Sequence, residues 1–163
     1  MKTAYLSLGS NLGDRAAQLR TAIEKLSDAR LRIVRISSVY DTAPRDNQDQ
    51  PRFLNIVVEI ETQRFPMQLL GHCLRVEKEM GRQRLGPKSA RNIDIDVLLY
   101  GQHVIDSPKL VVPHIRMHQR RFVLEPLCEL APEVRHPVFR KTVRELLAEL
   151  ADQGVRKVGP LVE

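Results

Sequence analysis

Tryptophan is absent, and aromatic residues make up only 4% of this 163-residue chain. Each Phe and Tyr therefore carries more information than usual. The aromatic-rich sheet motif of an RRM is missing, which argues against that kind of RNA-binding module. Cys73 and Cys128 are the only cysteines, and neither has metal-ligand spacing. They give no disulfide framework, so a reducing cytoplasm is the expected setting. Cys73 lies in an apolar helical pattern and is read as core. No apolar run reaches the roughly 18 residues that a membrane span needs. No basic segment followed by a long apolar one opens the chain, so neither a signal peptide nor a membrane span is expected. The glycine-rich turn Gly9-Ser10-Asn11-Leu12-Gly13-Asp14 is followed by no Gly-Lys-Ser/Thr, which excludes a P-loop. It is read as a structural turn, with a backbone contact to a ligand as the alternative. No internal repeat, low-complexity tract or linker is present.

Hydrophobic residues are 42% of the chain and charged residues 28%, ordinary for a globular protein. The length suits one domain over residues 1–163, with a core over about 1–132 and a C-terminal helix and tail over 133–163. The formal charge of +6 points to an anionic partner: a nucleic acid, a phosphorylated metabolite or a membrane surface.

Periodicity predicts strands over 3–8, 31–40 and 53–61, and helices over 15–27 and from Pro66 to a stop at Gly81. Asp14 is a candidate N-cap for the first helix. Short strands are expected around Val104-Ile105 and Leu110-Val111-Val112. A helix follows over 121–130 despite Pro126, and an amphipathic one over 141–150. The last dozen residues read as a weakly specified tail. The loop 41–52 is long for a compact domain, as binding loops and lids often are. The order β-α-β-β-α-β predicts an α+β, ferredoxin-like fold: an antiparallel sheet with helices on one face. The active site would lie on the other, loop-covered face.

The stretch Arg91-Asn92-Ile93-Asp94-Ile95-Asp96-Val97-Leu98-Leu99-Tyr100 organises the rest. Side chains at i and i+2 of a strand share a face, so Ile93, Ile95 and Val97 face the core and Asp94 and Asp96 face away. The two carboxylates, about 6–7 Å apart, repel by about 2.5 kcal/mol at an effective dielectric near 20. A divalent cation would reverse that cost, and Mg²⁺ prefers such oxygens together with substrate phosphates. Glu59 and Glu61 repeat the spacing, so a solvated acidic face is the competing reading. Cations surround the Asp pair: Arg82, Arg84 and Arg91 before it, and His114, Arg116, His118, Arg120 and Arg121 after it. Phe53 and Asn55 would share the outer face of their strand, where they could bind a flat heterocycle or simply pack.

Several motifs now stand together: Gly9-Ser10-Asn11-Leu12-Gly13, Tyr40-Asp41-Thr42-Ala43-Pro44, Gln48 to Asn55, Glu77 with Gly81-Arg82, Arg91 to Gly101, Val112-Pro113-His114, and Arg120 to Pro126. In these the chain resembles the 6-hydroxymethyl-7,8-dihydropterin pyrophosphokinases of folate biosynthesis, over roughly residues 3–132. The resemblance implies transfer of the β,γ-diphosphate of ATP to the pterin hydroxymethyl oxygen, with release of AMP. It implies that Asp94 and Asp96 hold two Mg²⁺ ions and that Arg82 and Arg91 are catalytic. Glu77, Arg84, Lys109, His114 and Arg120 would contact ATP. Thr42, Ala43, Pro44, Phe53, Asn55 and Phe122 would form the pterin pocket, the ring stacked between Phe53 and Phe122. A monomer without nucleic-acid or membrane partners is implied as well. Phe53 stands where the family commonly has Tyr, which keeps stacking and gives up a phenolic hydrogen bond. Lys88-Ser89-Ala90-Arg91 stands where it often has an aromatic-Gly-Pro-Arg run. A Mg²⁺-dependent nuclease built on the same carboxylates is the rival enzyme reading.

Overall fold

The computed structural model describes residues 1–43, 52–81 and 92–161. Strand β1 (Lys2–Ser10) runs through its centre. It pairs antiparallel with β4 (Phe53–Thr62) on one side and β5 (Asp94–Tyr100) on the other. Strands β2 (Leu31–Ile36) and β3 (Val39–Thr42) lie end to end along the far edge of β4. The first and third strands of the motif are thus central and its last strand forms an edge, the ferredoxin-like arrangement.

Alternation along the strands decides what each face buries. Ala4, Leu6, Leu8, Ile56, Val58, Ile60, Ile93, Ile95 and Val97 form one apolar cluster. Helix α1 (Arg15–Leu26) covers it with Leu19, Ala22 and Leu26, and α2 (Pro66–Glu79) with Leu69, Cys73 and Val76. Asp14 caps α1 as expected, its carboxylate accepting the Ala17 N–H at 3.1 Å. Pro66 occupies the first turn of α2, where its missing N–H costs nothing. Gly81 ends the helix region at φ +79°, a conformation that glycine adopts without steric cost. Cys73 is core, and burial pushes its thiol pKa up to about 12.

Three features depart from the sequence-based expectation. The strand expected over 31–40 breaks at Ser37-Ser38 into β2 and β3. There the Ser37 N–H donates to the Val57 carbonyl, and its Oγ accepts the Val57 N–H, both at 2.9 Å. The second face of the sheet is not covered by loops alone. Helix α3 (Arg121–Leu130) packs across it, backed by α4 (Val143–Ala148). Together with Tyr5, Val57, Leu98 and Leu99 they bury a second cluster that includes Val123, Leu124, Leu127, Val143 and Leu146. The C-terminal tail is not unspecified: β8 (Val155–Gly159) adds itself to the sheet along β3. Between β5 and α3, the short strands β6 (Ile105–Asp106) and β7 (Val111–Val112) form a separate hairpin. A 3₁₀ turn, Met117–Gln119, follows it.

Candidate active site

One end of the sheet carries a row of residues in register. Gly9 on β1 is paired with Asp94 on β5 and with Asn55 on β4, and Asn55 is paired in turn with Tyr40 on β3. One step along, Ser7 stands between Asp96 and Val57. The acids therefore lie on the face opposite Ile95 and Val97, as alternation requires. Asp94 and Asp96 are half-buried.

Asn55 is buried, and its Nδ2 donates to Thr42 Oγ1 at 3.0 Å. That bond orients the amide. A Cβ on Gly9 would stand 2.8 Å from Asn55 Oδ1 and 3.7 Å from the Phe53 ring. Glycine at position 9 thus lets Asn55 and Phe53 lie close over β1. This role was not legible in the sequence, where Gly9 read as part of a turn. Only the cross-strand register exposes it. Phe53 is half-buried and paired with Thr42. Ala43 closes the described part of β3's end, and Pro44 lies outside the described residues, as do Arg82, Arg84 and Arg91.

His114 lies close enough to Asp94 to feel its charge. Its N–H donates to the Leu98 carbonyl at 2.9 Å, and its Nδ1 accepts the Arg116 N–H at 3.2 Å. Burial pushes its pKa down to about 4, assisted by the positive field of Arg120 and Arg116 and opposed by Asp94. The ring is therefore neutral near pH 7, with its proton on Nε2, the nitrogen left to meet a ligand. The Arg120 guanidinium lies 5.4 Å from the Phe122 ring centroid, a cation–π contact at the entry to α3.

Glu77 is buried on α2, and its Oε2 accepts the Ile95 N–H at 2.7 Å. It thereby holds the backbone between Asp94 and Asp96. Lys109 stands exposed in the turn between β6 and β7. Two basic residues named for their sequence proximity belong elsewhere. Arg121 is tied to Glu125 at 3.0 Å and to the Leu150 carbonyl at 2.8 Å. His118 packs edge-on against Phe139 at 4.6 Å. The competing acidic pair is also resolved: Glu59 binds Arg35 at 2.5 Å, and Glu61 binds Arg32. Their face is a cross-strand ion-pair ladder.

Among the described residues, no group of three or more His, Cys, Asp or Glu could hold a metal by itself. Mg²⁺ does not require one, since one or two carboxylates with water and substrate phosphate suffice. Asp94 and Asp96 are hard oxygen donors of that kind.

Fold and site together define a ferredoxin-like α+β domain with paired carboxylates and an aromatic–amide pair at one end of its sheet. The family model for 7,8-dihydro-6-hydroxymethylpterin-pyrophosphokinase matches residues 5–132. The chain is 40% identical to the 2-amino-4-hydroxy-6-hydroxymethyldihydropteridine pyrophosphokinase of Haemophilus influenzae, over 98% of this chain and 100% of that protein. It is 42% identical to the folic acid synthesis protein fol1 of Schizosaccharomyces pombe, over 95% of this chain but 21% of that protein. Among solved structures, Plasmodium falciparum HPPK-DHPS wild type with pteroate is similar in fold. Its TM-score is 0.72 at 18% identity, covering 91% of this chain and 42% of that one. The chain thus spans about a fifth of the fungal relative and less than half of the Plasmodium chain. The chain belongs to the 7,8-dihydro-6-hydroxymethylpterin-pyrophosphokinase family.

Proposed function

We propose that the protein is an ATP-dependent diphosphotransferase of folate biosynthesis. It transfers the β,γ-diphosphate of ATP to the hydroxymethyl oxygen of 6-hydroxymethyl-7,8-dihydropterin, giving AMP and the pterin diphosphate. The observation that carries this reading is the register Asp94–Gly9–Asn55. It sets a carboxylate suited to metal–phosphate chemistry two strands away from an oriented amide suited to a polar heterocycle edge.

Asn55, oriented by Thr42, reads the pterin edge. Phe53 and Phe122 stack on its ring, with Ala43 and Pro44 completing the pocket. Neutral His114 donates from Nε2 to a phosphate oxygen. Arg120, already partly desolvated over Phe122, supplies a charge-assisted contact to the same polyanion. Glu77 belongs to the nucleotide side through its hold on β5. Arg82 and Arg91, which match the family's motifs, are the catalytic cations, and Lys109 and Arg84, which stand near those motifs, are further ATP contacts. Two Mg²⁺ ions, held by Asp94 and Asp96, would lower the hydroxymethyl pKa and neutralise charge on the triphosphate. The chain's own part is positioning and charge stabilisation, which suits a site rich in donors and poor in nucleophiles. No helix among the described residues is long and apolar enough to cross a membrane. A cytoplasmic monomer acting on small molecules accords with this reading.

Incubation with ATP, Mg²⁺ and the pterin, followed by phosphorus NMR, tests it. AMP with a pterin diphosphate is the expected result. ADP would mean attack at the γ-phosphorus and would overturn the reading.

A further inference from the structure

Thr42 and Phe53, which face each other across β3 and β4, are flanked by two charged residues, Asp41 and Arg52. Asp41 lies in β3 and Arg52 immediately precedes β4. Arg52 Nε donates to Asp41 Oδ1. Arg156, on β8 opposite Asp41, donates to Oδ2 at 3.0 Å. Arg52 also reaches the Gly154 carbonyl at 3.2 Å, while its own carbonyl accepts from Arg15 NH1 at 2.6 Å. One carboxylate thus joins β3, the entry to β4 and the C-terminal strand, and α1 grips the same Arg52.

The Asp41 side chain is 13% exposed, against 41% for Arg52 and 71% for Arg156. Burial pushes the Asp41 pKa up, but the hydrogen bonds and charges of Arg52 and Arg156 outweigh it and leave the carboxyl ionised further into acid than usual. Asp41 makes no use of the pocket face: Thr42, its neighbour, points there toward Asn55, and alternation sends Asp41 the other way. Its effect on ligand must therefore pass through backbone position.

We propose that Asp41 is a positioning residue for the pterin. By binding Arg52 and Arg156 together it holds Thr42 against Phe53 and Asn55, and it makes the C-terminal strand a determinant of pterin affinity. The inference rests on the assignment of this end of the sheet to the pterin. Removing the charge leaves the Arg52 and Arg156 guanidiniums without their shared anion, which loosens the hold of β3 on the start of β4. A displacement of an ångström at a binding group is enough to cost a large factor in affinity or rate.

The test is calorimetric binding of 6-hydroxymethyl-7,8-dihydropterin, in the presence of a non-hydrolysable ATP analogue, to the full chain and its variants. Asp41→Asn is expected to weaken pterin by roughly tenfold, with analogue affinity within about twofold and Asp41→Glu recovering most of the loss. Arg156→Gln, a substitution at an exposed side chain, is expected to shift pterin affinity in the same direction by about threefold. It remains readable should Asp41→Asn fail to fold. Wild-type pterin affinity in either folded variant, or equal loss of pterin and analogue, would overturn the proposal. Failure of the wild-type chain to bind pterin would overturn the site assignment itself. Loss confined to the variants concerns Asp41 alone.

Discussion

Single residues at the Gly9 end of the sheet act through their neighbours across the strands. Gly9 touches Asn55 by having no side chain. Gly9→Ala is expected to push the Asn55 amide off Thr42 and weaken pterin binding about tenfold or more, with nucleotide affinity nearly unchanged. Direct binding measurements check this, and unchanged pterin affinity would show that Asn55 has room to move. Asp94→Ala or Asp96→Ala is expected to remove most turnover while the thermal unfolding temperature stays close to wild type. Neither side chain belongs to an apolar cluster, so little packing is lost. Full activity in either variant would sink the metal assignment. At this scale much was legible. The alternation of Ile93, Asp94, Ile95, Asp96 and Val97 is a property of neighbours in the chain, and the strand presents it as read. The difference between the Asp pair and the Glu59–Glu61 pair was not legible. It depends on Arg32 and Arg35, which reach the glutamates only when β2 pairs with β4.

Elements are held in place by a few long-range contacts. Glu129 of α3 accepts from the Ser38 N–H and Oγ, each at 3.0 Å, and from the Tyr40 hydroxyl at 2.9 Å. It anchors α3 to the junction where β2 gives way to β3. Burial and this carboxylate push the Tyr40 phenol well above its usual range, so it stays a donor. Glu129→Ala leaves a buried hydroxyl without its acceptor and is expected to cost about 1–3 kcal/mol of stability. Urea unfolding measures it; an unchanged midpoint would mean that strand pairing alone holds the junction. Helix existence was legible because Ala16, Leu19, Ile23 and Leu26, or Leu69, Cys73, Val76 and Met80, repeat at helical spacing. The break at Ser37-Ser38 was not, since Val57 supplies the partners that stabilise it.

The whole molecule is a sheet with helices packed on both faces, and burial of a histidine beside them contributes to its acid sensitivity. His136 is 4% exposed, stacked on Phe139 at 4.4 Å, with Nδ1 accepting the Val138 and Phe139 N–H groups at 3.2 and 3.1 Å. Burial, with nearby His118 adding to it, pushes its pKa from 6.5 down to about 4. Between those values the unfolded chain binds the proton and the folded one does not. The contribution of His136 to stability is therefore complete above pH 6.5 and is lost as pH drops toward 4. His136→Asn keeps an acceptor for the two amides and loses the titration, so its urea midpoint is expected to fall less steeply over that window. An identical pH profile would assign the acid sensitivity elsewhere.

The sequence alone determined the element types, the α+β class and which side of each strand is apolar, because these depend on local spacing. It also carried the family motifs, whose residues lie in recognisable runs. Tertiary structure decided the rest. α3 covers half of the second face because Val123, Leu124 and Leu127 meet Tyr5, Val57, Leu98 and Leu99 there. β8 forms because β3 offers an unpaired edge beside Asp41, where Arg156 finds its carboxylate. Gly9 becomes a site residue because Asn55 and Asp94 arrive on either side of it. Each of these outcomes joins residues far apart in the chain, and such meetings have no local pattern from which to be read.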